Sequence, residues 1–269
     1  MTTNESLRLV GTSLKRPRRI ALGGATVVAF TRGYDPAVTN QDGVACVDLG
    51  EGVLLALADG AGGLPGGQEA ATIAIDAVME AAHEVKRDGS GVQEAVLAAF
   101  DRANDRIRAL AIGAASTLAV VIIEGSSLRS YHAGDSGVLV TGQRGRLRFG
   151  TVAHSPTGYA IEAGIMNEAQ ALRHAERHLI SNVLGSDDMR IEIGPPIDLA
   201  VYDTAVLASD GLLDNLHSHE IAELARKGPL LEATERLCGL ATTRMRAPTR
   251  DKLGKPDDLS VLLYRPRIC

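Results

Sequence analysis

Tryptophan is absent, and aromatic side chains make up only 3% of the 269 residues. A core must therefore be filled by Leu, Val, Ile and Ala, and an apolar content of 45% is enough to build a sizeable one. Cysteine is scarce as well. Cys46, Cys238 and Cys269 lie far apart, which argues against a disulfide framework and for a reducing, cytoplasmic compartment. No apolar run approaches the ~20 residues of a membrane span, and the N-terminus lacks an apolar signal core; no membrane association is expected. An excess of positive charge is missing too: the net charge is −5, which argues against general nucleic-acid binding. The short basic cluster Lys15-Arg16-Pro17-Arg18-Arg19 reads as a solvated arm, with a phosphate- or partner-binding arm as the sharper alternative. Internal repeats, low-complexity tracts and interdomain linkers are lacking. The expectation is an irregular N-terminal arm over residues 1–20 and a single domain over residues 21–269. Two-sheet architectures reach roughly 200–250 residues as one unit.

What is present is organised around Leu54-Leu55-Ala56-Leu57-Ala58-Asp59-Gly60-Ala61-Gly62-Gly63. An apolar run that reads as a buried strand ends in an aspartate, and a glycine turn and a long helical pattern follow. A carboxylate at a strand mouth, beside backbone that can approach a ligand closely, suits a hard cation; equally, Asp59 alone could be a turn or cap residue. Upstream, residues 26–30 read as a strand, residues 32–41 as a loop, and residues 44–48 and 53–58 as a hairpin. Helical spacing predicts a helix over 68–86, with Ala70, Ile73, Ala74, Ala77, Val78 and Ala81 on one face, and a second over 92–111. Two long helices between runs of strands suggest an antiparallel pair packed on a sheet.

Strands follow over 116–123, 128–133, 138–141 and 147–152. Residues 156–177 read as broken helix with Gly164 as a stop, and residues 179–184 as helix or strand. A short strand at 191–193, a buried strand over 204–208, helices over 219–226 and 230–246, a loop through 247–256 and a last strand over 259–264 complete the chain. Asp42, Asp59, Asp135, Asp210 and Asp257 each flank a β-rich segment. Antiparallel strands bring such ends to one sheet edge, where several carboxylates repel unless a cation neutralises them. An all-oxygen donor set without a His or Cys cluster suits Mg²⁺ or Mn²⁺ rather than Zn²⁺. Two such ions about 4 Å apart can share a water, acidify it and clamp a phosphoryl group.

Asn40-Gln41-Asp42, Ala58-Asp59-Gly60-Ala61-Gly62-Gly63, Ser116-Thr117, Gly134-Asp135-Ser136, Ser209-Asp210-Gly211-Leu212 and Asp257-Asp258-Leu259-Ser260 fall in the order found in the type-2C, metal-dependent protein serine/threonine phosphatase (PPM) family. Over residues 22–265 the chain resembles the bacterial-type members. The resemblance implies an α+β fold: a four-layer αββα sandwich of two antiparallel β-sheets flanked by antiparallel helix pairs. It implies hydrolysis of phosphoserine or phosphothreonine on a phosphorylated protein by in-line attack of a water bridging two Mg²⁺ or Mn²⁺ ions. A cognate Ser/Thr kinase and its targets would be the partners. By the same resemblance Asp59 bridges both metals, the carbonyl of Gly60 binds one, and Asp210 and Asp257 complete the other's shell. Asp59 and Asp210 are thus the catalytic pair. Asp42 is a ligand or holds a metal-bound water, Asp135 fixes a turn, and Asp214 orders the turn after Ser-Asp-Gly.

Departures from the family pattern are equally specific. The phosphate-gripping arginine of many members is Ala37 here, leaving Arg32 nearby as the candidate for the substrate phosphate. The histidine of Asp-Gly-His-Gly is Ala61, and the aspartate of an Asp-His pair associated with a third metal is Ala153. His154 is expected to pack or hydrogen bond. The charge-rich segment Arg173-His174-Ala175-Glu176-Arg177-His178 reads as a solvated helix face or as part of a substrate-recognising flap. These losses define the competing reading, a catalytically silent phosphoprotein-binding module of the same fold. The retained Asp59, Asp210 and Asp257 favour the enzyme.

Overall fold

A computed structural model describes residues 6–61, 66–247 and 254–266. Gly62 and Gly63 of the glycine turn, Cys269, the first five residues of the expected arm and positions 248–253 of the expected loop lie outside the described residues. Two antiparallel sheets stack face to face. In the first, β1 (Ser6–Val10), β4 (Asp42–Asp48), β5 (Gly52–Asp59), β6 (Leu118–Glu124), β7 (Ser127–Ala133) and β10 (Glu192–Ile193) lie side by side in that order, and β11 (Ile197–Asp198) also pairs with β7. In the second the order is β2 (Arg18–Leu22), β3 (Ala25–Arg32), β13 (Leu259–Arg265), β12 (Thr204–Ala208), β8 (Gly137–Thr141) and β9 (Leu147–Gly150).

Helices α1 (Gly67–Asp88) and α2 (Val92–Ala109) cover the first sheet. Helices α6 (Ser218–Ala225) and α7 (Leu230–Arg246) cover the second. Between β9 and β10 run the short helices α3 (Pro156–Glu162) and α4 (Glu168–Ala171), and α5 (Asp210–Leu213) follows β12 directly. This is the αββα sandwich. No helix among the described residues is long and apolar enough to cross a membrane.

Period-two alternation explains the layers. On β5, Leu54, Ala56 and Ala58 pack against α1 and α2, while Val53, Leu55 and Leu57 point to the core between the sheets. Because both faces are covered, β5 reads as an unbroken apolar run. Alanine fills the role that aromatics do not: Ala70, Ala74, Ala77 and Ala81 of α1 are fully buried and let the helix lie close on the sheet.

The expected irregular arm is corrected by the structure. Residues 6–10 and 18–22 are strands, pairing Leu7 with Cys46 and Ile20 with Val27. Leu7 and Ile20 are buried in the inter-sheet core. Both strands are five-residue sheet edges carrying arginines, and Arg8 pairs with Asp76 on α1. Charge on an edge guards it against further pairing, but it also hides the alternation. The segment 179–184 is neither helix nor strand; Leu184 alone bridges to Ser116. The expected strand at 116 begins instead at Leu118, because Ser116 and Thr117 are engaged by Asp59.

Candidate metal centre

The β4–β5 register sets Asp42 opposite Asp59, so both carboxylates stand at one edge of the first sheet. The β12–β13 register sets Ala208 opposite Val261, which brings Asp210, just after β12, beside Asp257, just before β13. The two edges are tied together. Ser209 Oγ donates to Asp42 Oδ2 at 3.0 Å, and the Ser260 amide donates to Ser209 Oγ at 3.0 Å. Asp258 accepts the Tyr34 amide at 2.9 Å and the Gln41 amide at 2.7 Å, one on each carboxylate oxygen. It thereby fixes the loop that delivers Asp42. Asn40 assists, donating to Thr12 O and Thr31 Oγ1 and accepting the Asp42 amide at 3.0 Å.

Asp59 is held through its backbone. Its carbonyl accepts the Thr117 amide at 2.8 Å and Ser116 Oγ at 3.0 Å, and its amide donates to Thr117 Oγ1 at 3.1 Å. Thr117 Oγ1 in turn meets Ser136 Oγ at 2.7 Å. The Ser116-Thr117 and Gly134-Asp135-Ser136 motifs thus lock the Asp59 main chain without engaging its carboxylate. Gly60 abuts the start of α1 so closely that a Cβ there would lie 2.2 Å from Gly67 O.

Lys255, which carries no motif signal in the sequence, sits inside the nest. Its Nζ lies 3.1 Å from Asp257 Oδ2 and 3.2 Å from Asp214 Oδ2, and it donates to Asp210 Oδ2. Buried Asn215 grips the Lys255 main chain at both ends, accepting its amide and donating to its carbonyl, each at 2.9 Å. Burial disfavours the ammonium, but Asp210, Asp214 and Asp257 outweigh it and raise the Lys255 pKa.

The carboxylates show the opposite strain. Burial, then the charges of Asp42, Asp210, Asp257 and Asp135, pushes Asp59 well above the ordinary range. Asp42 is likewise raised by burial and then by Asp258, Asp210 and Asp257, offset in part by a serine hydroxyl. Burial and Asp210 raise Asp257 to about 7 against the pull of Lys255, and burial and Asp210 raise Asp214 to about 6.

Asp135 faces the nest as well as its turn: burial, then Asp210 and Asp214, raises its carboxyl, and its Oδ1 has no hydrogen-bond partner among the described residues. Asp214, the C-cap of α5, pairs with Lys255 at 3.2 Å. Asp42 Oδ1 and Asp210 Oδ1 are buried and unpartnered among the described residues as well. Orphaned acceptors on crowded carboxylates, balanced by one ammonium, fit hard divalent cations.

His132 and His154 do not compete for that role. Donor atoms of His132, His154 and Glu192, and of Glu168, His217 and His219, lie within 4.8 Å of one another; no three of the aspartates among the described residues do. His132 and His154 are stacked at 4.3 Å with planes 18° apart, so their in-plane lone pairs do not converge. His154 Nδ1 accepts the Gly134 amide at 3.1 Å and meets Asn182 Nδ2 at 2.8 Å, while Nε2 meets Glu192 at 3.1 Å. As expected from sequence, it is a packing and hydrogen-bonding residue, here bracing the Asp135 turn.

Arg32 does not face the aspartates. Its guanidinium donates to the Leu14 and Lys15 carbonyls and lies 4.9 Å over the Phe30 ring, on the face of β3 that carries the α6–α7 layer. The phosphate-gripping expectation for Arg32 is therefore corrected: its fork is already committed to the loop before β2. Arg177 is placed differently. It lines a cavity of about 440 Å³ that runs from Asp135, Asp210 and Asp214 to the α3–α4 flap. Its Nη1 donates to Leu172 O at 2.6 Å. The flap is capped by Ser155, which accepts the Gly158 amide, and by reciprocal Asn167–Gln170 bonds at 2.9 Å.

Two stacked antiparallel sheets, flanking helix pairs and an aspartate nest at the sheet edges define a class. The family model described as protein phosphatase 2C matches residues 36–248, and the chain belongs to that family. It is 28% identical over 221 residues to the serine/threonine protein phosphatase PstP of Mycobacterium tuberculosis, covering 78% of this chain and 40% of that protein. The chain thus spans well under half the length of this curated relative. Among solved structures, the serine/threonine phosphatase Stp1 from Staphylococcus aureus matches with a TM-score of 0.76 at 21% identity, covering 96% of this chain and 97% of that one. The catalytic domain of PstP in complex with two manganese ions matches with a TM-score of 0.70 at 24% identity, covering 89% and 96%.

Proposed function

We propose that this chain is a metal-dependent phosphatase that hydrolyses phosphoserine and phosphothreonine on phosphorylated proteins. The observation that carries the reading is the convergence of Asp42, Asp59, Asp135, Asp210, Asp214 and Asp257 on one edge, with Lys255 as the ammonium among them. Asp59, the Gly60 carbonyl, Asp210 and Asp257 would hold two Mg²⁺ or Mn²⁺ ions, with Asp42 as a ligand or as acceptor for a bound water. Bound there, two divalent cations supply an acidified water as nucleophile and positive charge for the phosphoryl group.

The chain's own residues do the positioning. Ser209 orients Asp42, Thr117 and Ser116 fix Asp59, and Asp258 fixes the loop before Asp42. Arg177, in the charge-rich flap segment, lines the cavity, and the part of its guanidinium not held by Leu172 O would face the substrate. Membership of the family and the named activity of its relatives support protein substrates and a cognate Ser/Thr kinase as the opposing partner. Cys46 and Cys238, buried and unpaired, support action in a reducing cytoplasmic compartment.

A second reading, a catalytically silent phosphoprotein-binding module, is favoured by two observations: Lys255 already neutralises part of the nest, and neither Ala37 nor Arg32 offers a phosphate grip. A single assay separates the two. Chelator-stripped protein is incubated with a phosphothreonine peptide alone, with Mn²⁺ and with Mg²⁺. The enzyme releases phosphate only when a cation is returned. Phosphate release at equal rates with and without chelator sinks the metal mechanism, and peptide binding without release in any cation establishes the silent module.

A further inference from the structure

Lys255 differs from an ordinary surface lysine in three respects. Only 18% of its side chain is exposed, and its ammonium is shared by three carboxylates, Asp210 and Asp214 at the two ends of α5 and Asp257 two residues on in its own segment. Its main chain is clamped at amide and carbonyl by Asn215, which itself has no exposed surface and also donates to Gly211 O at 3.0 Å. An ammonium has three protons and no acceptor, so it can satisfy three carboxylates at once as a compact point charge. Two of the three, Asp210 and Asp257, are the carboxylates assigned above to a cation.

We propose that Lys255 is an internal competitor for the divalent cation. It holds Asp210, Asp214 and Asp257 together in the metal-free protein, and a cation enters at Asp210 and Asp257 by displacing the ammonium. The inference rests on the two-cation reading of the site. It has two consequences. The nest stays assembled without metal, because one positive charge offsets the mutual repulsion of buried carboxylates. The apparent metal affinity is also lower than the carboxylates alone would give. The cation binds only the fraction of molecules whose lysine has swung out, and the apparent dissociation constant rises by the inverse of that fraction. The four-carbon stem gives the ammonium room to move while Asn215 keeps its backbone in place.

The test compares wild type with Lys255→Met, Lys255→Gln and Lys255→Arg in the full chain, each stripped with chelator and checked by circular dichroism. Free Mn²⁺ is followed by electron paramagnetic resonance during titration, and melting is recorded with and without Mn²⁺. The expected result is at least about tenfold tighter Mn²⁺ binding for Lys255→Met and Lys255→Gln than for wild type, with no tightening for Lys255→Arg. The neutral variants should melt lower than wild type without metal and level with it when loaded. Lys255→Gln, which keeps a polar tip, carries the comparison if Lys255→Met does not fold. Neutral variants that bind Mn²⁺ no more tightly than wild type overturn the competitor role while wild-type binding leaves the two-cation reading standing. Absence of Mn²⁺ binding in every protein overturns both. Equal loss of melting temperature with and without metal reduces Lys255 to an ordinary structural ion pair.

Discussion

Replacing Gly211 by alanine tests whether the nest depends on close contact between two backbone segments. Gly211 opens the second position of α5, directly after Asp210, and faces the entry to β13. A Cβ at this position would lie 1.9 Å from Asp258 O, 2.9 Å from Asp258 C and 3.1 Å from Leu259 Cα. The contact is with backbone, which cannot rotate aside, so α5 and the start of β13 must separate by at least about 1 Å. Overpacking of that kind costs about 2–3 kcal/mol, which for a domain of this size lowers the melting temperature by roughly 5–10 °C. The same movement parts Asp210 on α5 from Asp257 before β13. A misplacement of about 1 Å in such a constellation costs roughly 10²-fold in turnover.

The control is Gly239, inside α7, where an added Cβ meets nothing within 4 Å. Gly239→Ala should leave activity unchanged and raise stability by about 0.5–1 kcal/mol through helix propensity. Melting by differential scanning fluorimetry, Mn²⁺ titration and peptide turnover read all three quantities. A Gly211→Ala protein with wild-type melting temperature and wild-type Mn²⁺ affinity would refute the argument that the Ser-Asp-Gly glycine is a packing requirement.

Asp59→Asn should lower turnover roughly 10³-fold or more, while the chelated protein melts at the same temperature or higher, because one of several crowded charges is gone; wild-type turnover in Mn²⁺ would end the bridging role. Glu220 accepts two bonds from Arg244, at 2.8 and 2.7 Å, and this guanidinium is the main reason its carboxyl falls to about 2 from an ordinary 4.5. A lowered carboxyl contributes stability that is present above about pH 4.5 and lost as pH falls through about 2. The gap between wild type and Glu220→Gln should therefore be about 2 kcal/mol at pH 7, discounted for partial exposure, and close toward pH 2; a gap that grows on acidification contradicts the pairing. A chain beginning at Gly11 loses β1, exposes the edge of β4 and forfeits the burial of Leu7. It should lose about 2 kcal/mol and self-associate on a sizing column, whereas an unchanged melting temperature would return residues 1–10 to the status of a free arm.

The parts of this molecule that were legible in its sequence are those set by periodicity and by strand direction. The double-faced apolar run of β5, the alanine face of α1 and the order of the elements follow from hydrophobic spacing. Asp42, Asp59, Asp210 and Asp257 could be assigned to one edge because antiparallel pairing brings the start of one strand beside the end of the next: Asp42 opens β4, Asp59 closes β5, Asp210 follows β12 and Asp257 precedes β13. The direction in which a side chain leaves the backbone was not legible, and the correction at Arg32 lies there. Arg32 has the chemistry to grip a phosphate, but the Leu14 and Lys15 carbonyls lie on the other face of its strand. Asp135 and Asp214 read as turn residues because each stands at a turn, and nothing local announces that their buried carboxylates also feel Asp210. β1 and β2 were hidden because a five-residue edge strand with arginines offers too few alternations to stand out. Lys255 was hidden for a deeper reason. Its role exists only because Asn215, forty residues earlier in the chain, holds its main chain against α5, and no local pattern encodes that meeting. The same fact explains why the site is tolerated at all. Buried carboxylates that raise one another's pKa work against folding, and a single ammonium and a network of serine, threonine and asparagine bonds hold them in place. Their mutual repulsion is the physical reason a divalent cation should be drawn to that edge.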